Sequence, residues 1–139
     1  MVLHEPTPAD FSACAAWVAD LPLWRRYGLT PAGAERTLRR SPRLLVAGDA
    51  EGVIAFDPAG GFGRAGYVKL VAAAAPGRGI GHALLRAAEA ECAGGMLLLC
   101  ADFNLRARAF YAREGWCIRA RPSPSLAPVA RSPASCCPR

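Results

Sequence analysis

The chain has 139 residues, of which 53% are apolar and 20% charged, and its formal net charge is +6. This composition excludes a disordered chain and is typical of one domain with a sizeable core. The longest apolar runs, 70–76 and 96–101, are too short to cross a bilayer, and the first residues lack the pattern of a signal peptide, so we expect a cytoplasmic protein.

The first 42 residues predict one short strand followed by helices. Residues 2–4 are the strand candidate. Two Thr-Pro pairs, 7–8 and 30–31, are helix starts, because a hydroxyl caps the first amides and proline suits the first turn. The second of these helices should end near Arg40. A shorter helix over 23–27 is expected between them.

Three strands follow. The apolar runs 43–47 and 53–56 are joined by a loop rich in Gly and Asp, which predicts an antiparallel hairpin. Residues 57–63 predict a second turn, because they are rich in Gly and Pro. The strongly apolar segment 67–73 is the third strand.

Strands and helices then alternate. A glycine-rich turn at 77–81 opens a helix that should run to about Cys92, and 96–100 is a buried strand. Residues 105–114 predict a further helix, and 116–120 a last strand. Antiparallel strands followed by this alternation indicate a mixed sheet in an α+β domain.

The last residues, 121–139, include five Pro and four Ser. We expect a loose tail that forms neither a helix nor a central strand, with at most a short edge segment near 126–130. The single domain then spans residues 1–120. Without a final strand from the tail, the sheet would keep an unpaired edge, through which a homodimer could form.

None of the six cysteines forms a CxxC pair or has the spacing of zinc ligands, so no metal site is predicted. Cys14, Cys92, Cys100 and Cys117 lie in apolar stretches and should be buried thiols. We assign no function to Cys136 and Cys137, which are adjacent in the tail.

The glycine-rich segment Gly77 to Gly81 has the form of an anion site. The first amides of a helix lack an internal partner and the helix dipole adds positive potential there, while glycine lets a phosphate approach closely. Arg78 and His82 would add charge at its mouth. The dinucleotide and P-loop motifs do not fit, since His82 and Leu84 occupy glycine positions and no Lys follows. A tight turn without a ligand remains an alternative.

A second segment supports the ligand interpretation. Asn104 is placed as a helix cap, and the helix ends before Gly115. The order and separation of four features resemble those of the GNAT N-acetyltransferase superfamily. They are a strand, GRGIGHALL (77–85), a second strand and NxxAxxFYxxxGW (104–116). The resemblance covers about residues 44–120. It implies a three-layer fold of the GNAT-like acyl-CoA N-acyltransferases, with a mixed, mostly antiparallel central sheet flanked by helices.

The resemblance also implies a reaction and a site. Acetyl-CoA would donate its acetyl group directly to an amine, without a metal. The strand before the glycine loop would diverge from its neighbour and pair with the pantetheine arm through Leu70, Val71 and Ala72. The pyrophosphate would bind the loop residues, namely Gly77, Arg78, Gly79, Ile80, Gly81 and His82. Asn104 would lie near the arm, and Tyr111 would protonate the leaving thiolate.

Several alternatives stay open. Pro76 stands where the family usually has Arg or Gln, which favours a degenerate relative that binds coenzyme A without turnover. A basic nucleic-acid-binding module is a third hypothesis, but the Arg residues are scattered and no aromatic series accompanies them. The acceptor and the oligomeric state are open. Asp102, Glu51 and Asp57 are candidate bases, with a chain of water molecules as the alternative. Trp17 and Trp24 lie where the family shapes its acceptor pocket.

Overall fold

The described part of the chain, residues 1–118 and 126–131 of a computed structural model, contains five helices and seven strands. They are β1 (Leu3–His4), α1 (Pro8–Asp20), α2 (Pro22–Arg26), α3 (Pro31–Arg40), β2 (Arg43–Ala47), β3 (Gly52–Gly61), β4 (Ala65–Ala73), α4 (Ile80–Ala90), β5 (Met96–Ala101), α5 (Leu105–Arg113), β6 (Cys117–Ile118) and β7 (Leu126–Arg131).

The strands form one mixed, mostly antiparallel sheet in the order β1-β2-β3-β4-β5-β7-β6. Neighbours pair antiparallel throughout, except that β4 and β5 are parallel. A parallel pair needs a long crossover, which α4 supplies here. The mixed sheet predicted from the sequence is therefore confirmed.

Helices cover both faces of the sheet, because alternate residues of its central strands point to opposite sides. Ile54 and Phe56 of β3 pack with Ile80 and Leu84 of α4 in one core. Their neighbours Val53 and Ala55 belong to a second core with residues of α1 and α3. The result is the predicted three-layer arrangement of helices, sheet and helices.

Both Thr-Pro signals begin helices where predicted. The amide of Thr7 donates to the Asp10 carboxylate at 2.8 Å, which closes the first turn of α1. At the start of α3, the Thr30 hydroxyl accepts a hydrogen bond from the amide of Gly33 at 3.0 Å. Local side-chain chemistry therefore fixes these two helix starts.

The predicted turn at 57–63 is wrong in its extent. β3 continues to Gly61, which pairs with Ala65, and the chain reverses at residues 62–64. The register is irregular between Asp57 and Gly61. In addition, β2 begins at Arg43, opposite Phe56, so the extension of β3 beyond Phe56 has β4 as its only partner among the described strands. A proline and glycines are tolerated in such an irregular edge.

The prediction that the tail supplies no central strand is also wrong. β7 lies between β5 and β6 and pairs with all six residues of β5. Its Pro128 lies beyond the reach of β6, which pairs only with Val129 and Ala130. The proline therefore removes at most one ladder hydrogen bond, and burial of the edge of β5 outweighs this loss. Residues 119–125 and 132–139, which include the rest of the predicted tail, lie outside the described residues.

The cysteine predictions have mixed outcomes. Cys14, Cys92 and Cys100 are buried free thiols, as predicted. Cys117 is half-buried and disulfide-bonded, so its prediction as a simple buried thiol is wrong. Cys136 and Cys137 lie outside the described residues. None of the described helices has the length and apolar character needed to span a membrane.

Candidate active site

The sheet opens between β4 and β5. Their pairing starts at Gly66 and Met96 and, within the described residues, stops at Val68 and Leu98. β4 also contains a bulge at Lys69, because Val68 pairs with Phe56 of β3 while Leu70 pairs with Ala55. From Lys69 onward, the β5-facing edge of β4 is therefore free of strand partners in the described structure, as predicted for the strand before the glycine loop.

A cleft of about 290 Å³, the gap cleft, lies at this opening. Its walls come from α2, β4, β5 and α5, and they include Leu70 and Val71 of the predicted pantetheine strand. The lining residues are Leu23, Trp24, Tyr27, Tyr67, Val68, Lys69, Leu70, Val71, Leu98, Leu99, Cys100, Ala101, Asn104, Ala107 and Tyr111.

A second cleft of about 560 Å³, the loop cleft, lies at the glycine loop and along part of α5. It contains Val71 and Ala72 of β4 and every predicted pyrophosphate-binding residue, Gly77, Arg78, Gly79, Ile80, Gly81 and His82. The structure thus brings together the loop residues that the sequence identified.

The glycine loop is shaped for close approach by a ligand. Gly77 and Gly79 have φ angles of +81° and +73°, a conformation that favours glycine. Gly79 is the N-cap of α4, and no described side chain caps this helix start. A Cβ atom built on either glycine would meet no described atom within 4 Å. The first residues of α4 therefore border open space and line the loop cleft, as an anion site requires.

Charged side chains surround the loop cleft. Arg78 pairs with Glu51 at 3.2 Å, and His82 Nδ1 lies 2.6 Å from Glu114 Oε2. Arg106 and Arg113 of α5 also line the cleft. The sequence reasoning missed these two residues, although their spacing of seven places them on one helix face. With three arginines and one carboxylate in the described lining, the cleft suits a phosphate-bearing ligand.

The two clefts meet at four residues that line both: Val71, Asn104, Ala107 and Tyr111. Asn104 is the helix cap that was predicted, since its Oδ1 accepts a hydrogen bond from the Ala107 amide at 3.2 Å. A ligand that passes from the loop cleft into the gap cleft would therefore run past Asn104 and Tyr111.

Tyr111 is held by packing on both sides. Its ring centroid lies 5.4 Å from that of Phe110 and 5.7 Å from that of Trp116. Burial raises the pKa of the Tyr111 hydroxyl above its ordinary value of 10.0, and the nearby Cys100 raises it further. Tyr111 therefore keeps its proton at neutral pH and can donate it at the meeting point of the clefts.

The candidate bases do not gather at this point. Glu51 pairs with Arg78, and an Asp57 oxygen accepts the Ala59 amide at 3.0 Å. Asp102 Oδ1 is buried without a described hydrogen-bond partner. None of these three carboxylates lines either cleft. The residues of the described part also form no group of three or more potential metal ligands.

The two tryptophans near the clefts differ in position. Trp24 lines the gap cleft, and its ring lies 6.3 Å from that of Tyr27. Trp17 instead donates from Nε1 to the carbonyl of Ala50 at 2.9 Å, and it packs in the core between α1 and the sheet. Of the two, only Trp24 contributes to the cleft wall.

Comparisons with known proteins agree with this geometry. The model of the acetyltransferase (GNAT) family matches residues 16–116. None of the curated protein sequences matches the chain.

Solved structures share the fold. An acetyltransferase from Thermus thermophilus is 21% identical with a TM-score of 0.75, over 95% of this chain and 97% of that one. A ribosomal-protein-alanine N-acetyltransferase from Brucella melitensis is 18% identical with a TM-score of 0.66, over 95% of this chain and 99% of that one. A Bacillus anthracis protein described as a streptothricin acetyltransferase, in complex with acetyl coenzyme A, is 16% identical with a TM-score of 0.56. The match covers 65% of this chain and 61% of that one.

Proposed function

Since the chain belongs to the acetyltransferase (GNAT) family, we propose that it transfers an acetyl group from acetyl-CoA to the nitrogen of an amine. One observation carries this proposal. The cationic loop cleft and the gap cleft share Asn104 and Tyr111, so a phosphate-bearing arm that starts at the glycine loop would end beside a proton donor.

The residues present suit acetyl-CoA. The pyrophosphate would bind the amides that open α4, around Gly79, with Arg78 nearby. The pantetheine arm would lie along the free edge of Leu70, Val71 and Ala72, the part of β4 that lies beyond its last pair with β5 in the described structure. The structural neighbour in complex with acetyl coenzyme A supports this choice of donor.

The reaction is a direct transfer. The neutral amine attacks the thioester carbonyl carbon, the new C–N bond forms as the C–S bond breaks, and coenzyme A leaves as a thiol after protonation. Tyr111 would donate that proton, because it lines both clefts at the point where they meet. A free amide of β4, at Val71 or Ala72, would stabilise the negative charge on the carbonyl oxygen.

Deprotonation of the amine is assigned to water. The described residues of the gap cleft include no carboxylate, and Glu114 of the loop cleft is paired with His82. The nitrogen loses one proton to water as the amide forms, and Tyr111, which has given its proton to the thiolate, takes one back from solvent through the open cleft.

Calorimetric titration with acetyl-CoA tests the donor site. Gly79→Glu places a carboxylate in the proposed phosphate position, and repulsion should weaken binding by about tenfold or more. Gly63→Glu is a matched control, since Gly63 has a φ of +72° and open space like Gly79, but lies in the β3–β4 turn. The control should bind acetyl-CoA as the unmodified protein does.

The outcomes separate the hypotheses. Micromolar binding that is lost only in Gly79→Glu, followed by transfer to an amine, supports the proposal. Binding without transfer to any amine would favour the alternative of a degenerate relative that binds coenzyme A without turnover, which the presence of Pro76 suggests. If the folded protein does not bind acetyl-CoA, the glycine loop is only a turn and the proposed function is wrong.

A further inference from the structure

The gap cleft is the candidate site of the amine, because it contains Trp24, which the family resemblance places at the acceptor pocket, beside Tyr111. Its described lining contains one basic side chain, Lys69, and no carboxylate. Lys69 is also the only Lys of the chain. Its side chain is exposed, and no described carboxylate lies within ion-pairing distance. The lysine is therefore available to a ligand.

The bulge in β4 explains why this lysine reaches the cleft. Lys69 is the extra residue opposite β3, and it comes directly after the last pair between β4 and β5. A bulge redirects the side chain at the point where strand pairing ends. Lys69 and Tyr111 consequently line the same cleft.

Aromatic side chains from α2, from its C-cap and from β4 form an aromatic wall of the gap cleft. Trp24, Tyr27 and Tyr67 line the gap cleft, and Tyr27 contacts the ring of Phe103 with centroids 6.1 Å apart. The guanidinium of Arg26 lies 3.7 Å above that ring, which adds a second positive charge near the aromatic wall. These surfaces suit an apolar or aromatic group next to an anion.

The charges discriminate among acceptors. A polyamine would bring a second ammonium close to Lys69, where no described carboxylate of the cleft compensates it. An amine that carries a carboxylate would instead pair with Lys69. The cleft volume of about 290 Å³ is at the lower end for small-molecule sites, so a small acceptor is favoured.

We propose that the acceptor is a small primary amine with a carboxylate and an apolar side chain, the chemistry of an apolar α-amino acid, and that Lys69 determines this specificity. This inference rests on the proposed acetyl transfer. It narrows the acceptor by its charge and by the nature of its side chain.

Phenylalanine and phenethylamine form the sharpest pair of probes, because they differ only in the carboxylate. Release of coenzyme A is measured with acetyl-CoA and each amine, with rates compared at equal concentrations of the neutral amine. The unmodified protein should have a kcat/KM for phenylalanine about tenfold or more above that for phenethylamine. Lys69→Met, of similar length without the charge, should remove this preference by lowering the phenylalanine value alone.

Arg40→Met is the control variant, since it removes one exposed positive charge from α3, outside both clefts, and should retain the preference. Equal or better use of phenethylamine, or spermidine as the best acceptor, would overturn the inference and leave the acetyltransferase proposal standing. Transfer to other amines but not to phenylalanine would do the same. A protein that does not bind acetyl-CoA would instead refute the proposed function itself.

Discussion

The Tyr111 side chain packs against other aromatic rings and also lines both clefts. Its ring packs between Phe110 and Trp116, and no described residue takes a hydrogen bond from its hydroxyl. Removing only the hydroxyl therefore leaves the packing intact. Tyr111→Phe should lower kcat by about 100-fold if the hydroxyl protonates the thiolate. Steady-state rates with a saturating amine measure this loss.

The matched readouts are acetyl-CoA affinity and thermal stability, both of which should stay as in the unmodified protein. Since burial raises the pKa of Tyr111 above 10.0, the rate should not fall from loss of this proton below that pH. A Tyr111→Phe variant with full activity would show that the residue only packs, and solvent would then be the proton donor.

Cys14 makes stability depend on pH in the alkaline range. The side chain is fully buried, and burial raises the pKa of its thiol from 9.0 to about 11, with Asp10 contributing. The folded state therefore keeps a proton that the unfolded chain releases. This stabilisation is complete below pH 9 and is lost as the pH rises from 9 to about 11.

Cys14→Ala should remove that pH dependence. The unmodified protein should lose roughly 2–3 kcal/mol more than the variant between about pH 8 and about pH 11, at about 1.4 kcal/mol per pKa unit. The cavity left by the sulfur lowers stability equally at every pH. Urea unfolding across this range measures the difference, and parallel curves for the two proteins would contradict the assignment.

At the scale of elements, α5 contributes to both clefts. Its inner face carries Tyr111, while Arg106 and Arg113 point toward the loop cleft. If these arginines attract the phosphates of acetyl-CoA, Arg106→Ala combined with Arg113→Ala should weaken binding about tenfold at low salt, and less at high salt. Titrations at two ionic strengths give both values.

A double variant on α3 is the appropriate comparison. Arg36→Ala with Arg40→Ala removes the same charge from a helix that lines neither cleft. It should bind acetyl-CoA nearly as the unmodified protein does. An equal loss in both double variants would mean that overall charge attracts the ligand and that the position of the two arginines on α5 is unimportant.

At the scale of the whole molecule, β7 decides whether the sheet is complete. Ala130 pairs with Leu97 of β5 on one side and with Cys117 of β6 on the other. Its N–H therefore faces a partner strand whichever of the two sides it points to. Ala130→Pro should therefore lower the free energy of unfolding by about 2–3 kcal/mol. Ala130→Gly, which keeps the N–H, should cost about 1 kcal/mol or less. Urea unfolding measures both.

If both variants were as stable as the unmodified protein, β7 would contribute little and the domain would be held by residues 1–120 alone, as the composition of the tail predicts. A large loss in Ala130→Pro would place part of the tail within the folding unit. We propose the latter, because β5 is strongly apolar and β7 pairs along its whole length.

The sequence by itself determined the features that depend on neighbouring residues. Thr7 and Thr30 begin helices because a cap needs only a side chain and the next turn. Gly77 and Gly79 form the loop because their backbone angles suit glycine. The helical spacing of Ile80, Leu84 and Ala88 placed one face of α4 in the core. The motif order then indicated the family.

The tertiary structure alone decided what depends on distant segments. The bulge at Lys69, the gap beyond Val68, the position of Arg113 over the glycine loop and the insertion of β7 all require knowledge of which strands and helices are neighbours. Composition argued against a central strand around Pro128, because local propensity carries no information on the exposed edge of β5. Burial of that edge outweighs the preference of the tail, and such non-local free energy is absent from any short stretch of sequence.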